Sequence, residues 1–296
     1  MAVDVLGIEV EPALARRWAG WLAPARQPFF LTAAEAAELG LETAVRDLSP
    51  ELRDTYEVWN VAKDLEVVWL DEGAFHGQPR EARAELVRTQ VRHGRGAVPA
   101  VADWADLLHA PVLREQADGE RFVWWPTLVE PQLDAVLKRV VSEWQQPCQR
   151  NSVPEEIWRA AAPALPRARA LSGTFASGSR GSAFAGGSAT SCFATVMAAA
   201  GVESPDEASF ETWLTAHCTA EGRDDLPGTV LVWRDAQGNN THAAVTLGGG
   251  WGLHKPGQEW LSPHQVLTVH DLIRLAPPGV TLHRYAVQKV NPAGGL

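Results

Sequence analysis

The spacing of apolar residues changes partway along this 296-residue chain, and that change constrains its fold more than any other feature. In the first half the apolar residues recur at helical intervals. Residues 13–22 carry such a stripe, and Leu133, Val136, Leu137, Val140 and Val141 form an i, i+3, i+4, i+7 set that begins near Pro131. Thr32-Ala33-Ala34-Glu35 reads as a capping box. Residues 80–93 form a charged amphipathic helix and 101–108 a further one, with 65–70 the one segment of strand character. Beyond residue 229 the alternation is two-fold. Residues 229–234, 241–247, 251–254 and 280–290 read as strands, joined by the turn at 235–240 and by Gly248-Gly249-Gly250. Helices first and an antiparallel meander after predict an α+β fold.

At this length two domains are expected. Gln145 to Pro154 breaks the helical pattern, which divides the chain into a mainly helical N-terminal domain, 1–150, and a C-terminal domain, 151–296. A net charge of −10 argues against a nucleic-acid partner, which needs a basic footprint, and against an anionic membrane surface. No apolar run approaches the roughly 20 residues that cross a bilayer. The first residues lack a basic segment followed by an apolar one, so a cytoplasmic location is expected. Thirteen tryptophans, Trp124-Trp125 among them, are read as core or interface anchors. Three cysteines, Cys148, Cys192 and Cys218, are odd in number and lack ligand spacing. Reduced thiols, no metal and no cofactor are expected.

Cys192 opens an apolar, Ala-rich segment, 192–200, that Gly201 closes as a helix. Residues 172–191 before it are rich in Gly and Ser and read as a site loop. A thiol in the first turn meets the positive end of the helix and free amide groups, which favour the thiolate and can hold an oxyanion. The plainer alternative is a small core residue. Ser204-Pro205-Asp206-Glu207 is expected to cap a second helix running to about Cys218. His242 starts a strand with Ala244 and Thr246 on its own face, small enough to admit a helix bearing a thiol. His254 follows on the next strand, where one imidazole can fix the tautomer of the other. His217-Cys218 reads as an ordinary helix end. His264 and His270-Asp271 fall in an expected surface segment, with Asp271 a lesser alternative for the orienting role.

Phe184-Ala185-Gly186-Gly187-Ser188-Ala189-Thr190-Ser191-Cys192-Phe193-Ala194 resembles the loop and nucleophile helix of the NlpC-type cysteine peptidases. Leu226-Pro227-Gly228-Thr229-Val230 is similar to their Pro-Gly-Asp strand opening, Thr241-His242-Ala243-Ala244-Val245 to their His-bearing strand, and Trp251-Gly252-Leu253-His254 to the strand with their closing polar residue. The resemblance spans about residues 178–255. It implies a papain-like core, a Cys192–His242–His254 triad, and substrate contacts from Phe184, Gly187, Ser191, Phe193 and Trp251. It also implies cleavage of amide bonds in peptidoglycan stem peptides, often beside D-glutamate. Where the family usually has Asp before the Cys and Ser-Gly after it, this chain has Ser191 and Phe193-Ala194, and Thr229 stands where Asp is common. These departures bear on the substrate more than on the chemistry. Two other functions fit the same residues: a thioester-forming acyltransferase, transglutaminase or deamidase acting on a protein, and an inactive binding module.

Overall fold

The computed structural model describes residues 3–44, 48, 53, 56–58, 60–116, 120–142, 145–175, 191–257 and 260–288. The chain divides into two compact units, one of Met1–Val3 and Val10–Val140, the other of Asp4–Glu9 and Val141–Leu296. The division falls ten residues before the break read from the sequence. Strands β1 (Val3–Val5) and β2 (Ile8–Val10) form a two-stranded sheet.

The first unit mixes helices with one antiparallel ladder. Helix α1 (Pro12–Leu22) precedes β3 (Arg26–Leu31), which pairs with β4 (Glu66–Asp71). The sequence reading missed β3 because Pro28-Phe29-Phe30-Leu31 is continuously apolar; Phe29, Phe30 and Leu31 are all buried, so no alternation marks the strand. Helix α2 (Ala33–Glu38) carries the expected capping box, with Glu35 N–H donating to Thr32 Oγ1 at 3.2 Å and Thr32 N–H to Glu35 Oε2 at 2.8 Å. Helices α3 (Glu72–His76), α4 (Arg80–Arg92), α5 (Val101–Trp104), α6 (Ala110–Gln116), α7 (Pro126–Val129) and α8 (Leu133–Ser142) follow. Phe29 stacks on Phe75 at 5.6 Å, and Trp104 meets Trp124 edge-on at 4.7 Å. Trp124 and Trp125 are both buried in this core.

The second unit is built on a seven-stranded sheet of order β5-β10-β9-β8-β7-β11-β6. Its helices are α9 (Glu155–Ala161), α10 (Ala168–Leu171), α11 (Cys192–Ala199), α12 (Phe210–His217) and α13 (Val269–Arg274). The strands are β5 (Thr174–Phe175), β6 (Cys218–Ala220), β7 (Pro227–Arg234), β8 (Asn240–Gly248), β9 (Trp251–His254), β10 (Pro263–Thr268) and β11 (Thr281–Val287). Every pairing is antiparallel, and the architecture is α+β. The β8–β9 turn needs positive φ at Gly248, Gly249 and Gly250 (87°, 58° and 81°), which other residues rarely adopt. A Cβ on Gly249 would also lie 2.5 Å from Ile157 Cδ1.

Two local expectations change. Asp206, not Ser204, caps the second helical segment; a 3-10 turn (Glu207–Ser209) comes first, and the chain becomes extended at Cys218. Of the residues read as surface, His264 lies in β10 and is only 3 % exposed, whereas His270 in α13 is exposed as expected. Pro263-His264-Gln265-Val266-Leu267 covers both sheet faces with buried side chains, which removes the alternation that marks a half-exposed strand. Among the described residues no helix is long and apolar enough to cross a membrane.

Candidate active site

Every residue of α11 is buried, as its apolar character on all sides requires. Ser191 caps it: its Oγ accepts from Ala194 N–H at 3.1 Å, and Cys192 begins the first turn. On one sheet face Val230, Val232, Ala243, Val245, Leu247 and Leu253 pack with Cys192, Val196 and Met197. On the other, Leu231, Trp233, Ala244 and Leu267 pack with Val269 and Leu272. The helix therefore lies on the face of Ala243 and Val245, not on that of Ala244 as the small residues beside His242 suggested.

Cross-strand register aligns the histidines. Trp233 pairs with His242, Ala244 with His254, and His254 with Gln265. The His242 Nε2 and His254 Nδ1 atoms are 3.2 Å apart, with the rings perpendicular. The Trp233 ring lies 5.3 Å from that of His242. Burial holds His242 down at about 4 and, together with the neighbouring ring, His254 at about 3. Both are neutral at pH 7.

The backbone N–H groups of Ala243 and Phe193 lie close enough to Cys192 Sγ to favour its thiolate. Ala244 opposite His254 is the last β8–β9 pair toward the start of β8, so the Ala243 amide lies just past the end of that ladder. Burial is the largest influence on the thiol and Glu207 acts with it; the two amides and Lys255 oppose them. Burial wins, and the thiol is pushed up to about 11. Cys192 packs on the Ala243 face, while His242 shares the opposite face with Trp233 and Ala244, so the sheet stands between thiol and imidazole and no hydrogen bond joins them.

The other expected contacts fare differently. Phe184 and Gly187 lie outside the described residues. Phe193 is a core residue, 8 % exposed, its ring 4.7 Å from that of Phe210. The Ser191 hydroxyl is spent on the helix cap. Trp251 sits at the far end of β9 from His254, opposite Thr268, roughly 10 Å along the strand. Asp271 is engaged with Thr268 in the cap of α13, at 2.7 and 3.1 Å, and does not orient either imidazole. Burial raises Cys218 to about 12.

One residue escaped the sequence reading. Gln265, 1 % exposed, donates from Nε2 to Gln146 O at 2.6 Å. Its side chain favours a charged His254 without meeting hydrogen-bond geometry, so His254 Nε2 ends buried and without a partner. Only the strand register brings it to His254, and a lone Gln in an apolar strand gives no sign of that. Among the described residues no group of His, Cys, Asp and Glu side chains could hold a metal ion. No family model, curated protein or solved structure matches the chain.

Proposed function

We propose that the second unit is a papain-like cysteine hydrolase of the NlpC type that cleaves an amide bond of a peptide, with peptidoglycan stem peptides the substrate class its motifs favour. The observation that carries this reading is the His242 Nε2 to His254 Nδ1 contact of 3.2 Å. A proton on His242 Nε2, donated to His254 Nδ1, leaves the lone pair on His242 Nδ1, the nitrogen a base must present.

The imidazole pair lies on the sheet face of Trp233 and Ala244, opposite the face that α11 covers, so reaction requires the thiol to leave the backbone amides beside it and reach that nitrogen past the start of β8. The thiol proton then passes to Nδ1 while Sγ bonds to the substrate carbonyl carbon. Backbone N–H groups at the start of α11 face the oxygen that gains charge. The carbon–nitrogen bond breaks, His242 gives its proton to the leaving amine, and a thioester remains. Water, losing its proton to His242, attacks the thioester; the carbon–sulfur bond breaks and the thiol is restored. Cys192→Ala is expected to lower cleavage of a stem tetrapeptide by at least ~10³-fold, measured by product chromatography. Cleavage at the wild-type rate would remove Cys192 from the mechanism.

A second reading is favoured by one observation. A buried thiol raised to about 11, with no bond to the imidazole, is what a binding module descended from a catalytic fold would keep.

A further inference from the structure

A cavity of about 330 Å³ opens beside the imidazole pair, within the range of roughly 300–1,000 Å³ typical of small-ligand sites. Trp233, Leu272, Leu275 and Ala276 supply an apolar side; Gln145 and the two imidazoles supply polar groups. Among the described residues none of the lining is an Asp, Glu, Lys or Arg. Lys255 follows His254 in the chain, but its ammonium donates to Gly257 O at 2.5 Å and it is not part of the lining. With both rings neutral and no cation among the described lining residues, a carboxylate entering here would lose its hydration uncompensated, a penalty a neutral amide largely avoids. Gln145 Nε2 is committed to Val141 O and Leu261 O, each at 3.0 Å, so its two amide hydrogens are spent and do not await a carboxylate.

We propose that this cavity binds an uncharged group with an apolar body, such as a neutral side chain or amide of a peptide, and rejects carboxylates. Assigning that group to the substrate rests on the catalytic role proposed for His242; the binding preference itself does not.

The test uses 3-phenylpropanamide and 3-phenylpropanoate, which differ in charge and little else. Each is titrated into the full chain at pH 7 while the imidazole resonances of His242 and His254 are followed. The amide is expected to give saturable shifts and to bind at least ~10-fold more tightly than the carboxylate. Ala276→Trp fills the cavity and is expected to abolish amide binding. Leu275 is 50 % exposed, so Leu275→Arg is tolerated and is expected to shift the preference toward the carboxylate by placing a cation at the rim. No amide binding, equal or tighter carboxylate binding in the wild type, or a preference untouched by Leu275→Arg each overturns the proposal. The titration is repeated with Cys192→Ala, where unchanged amide preference supports the cavity assignment even if the catalytic reading fails.

Discussion

Lowering the pH from 7 to 5 is expected to weaken the second unit by on the order of 4 kcal/mol. His242 and His254 titrate near 4 and 3 when folded and near 6.5 when the chain is open. Above pH 6.5 neither state takes up protons at these rings and stability is unaffected. As the pH falls below 6.5 the unfolded chain binds protons that the folded one refuses. Each ring then costs about 1.4 kcal/mol per pH unit until its folded value is reached. At pH 5 that is about 2 kcal/mol per ring. Glu35, held low at about 2, begins to matter only below its ordinary value of 4.5. His76 in the first unit is also lowered by burial and acts with the same sign. The measurement must therefore report on the second unit alone. Hydrogen exchange of β7 and β8 amides at pH 7, 6 and 5, corrected for intrinsic rates, does so. His254→Gln should halve the slope, while a flat profile in the wild type would show that the rings are not buried as a neutral pair.

Trp233→Ala is expected to cost about 3–5 kcal/mol, the range for removing a buried aromatic ring. Trp233 is almost fully buried between Leu231, Ala244 and Leu272, and it packs against the ring of its register partner His242. Its loss would open a void on the sheet face away from α11 and free the His242 ring to change orientation. Trp233→Phe keeps an aromatic contact and should cost clearly less. Urea unfolding with a constant m-value is the check, and a cost below about 1 kcal/mol for the alanine variant would mean that this face collapses to fill the void.

The strands that carry the histidines were legible from the glycines between them. Alternation over residues 242–247, with His242, Ala244 and Thr246 on one face, located β8, and three successive glycines located its turn into β9. The helix start at Cys192 was legible from Ser191 and the apolar run behind it. The choice of sheet face was not. Small residues at 244 and 246 look like room for a helix, yet α11 packs on the opposite face, against Val230, Val232 and Val245. Phe193 was read as a substrate contact from its place beside the nucleophile; its ring instead completes a core with Phe210. β3 and β10 stayed hidden because strands buried on both faces lose the two-fold pattern. Gln265 becomes meaningful only when the register sets it against His254.

The central claim is that Cys192 and His242 act as a pair although they are unbonded in the arrangement described. The most direct test is the rate of iodoacetamide alkylation at each cysteine from pH 5 to 9, read by mass spectrometry in wild type and His242→Ala. Cys148, half-buried, and Cys218, buried and raised to about 12, serve as internal references. Cys192 alone is expected to react rapidly below pH 7.5 and to lose that advantage when His242 is removed. Alkylation of Cys192 no faster than that of Cys148, or unchanged in His242→Ala, would contradict the pairing and leave the binding-module reading in its place.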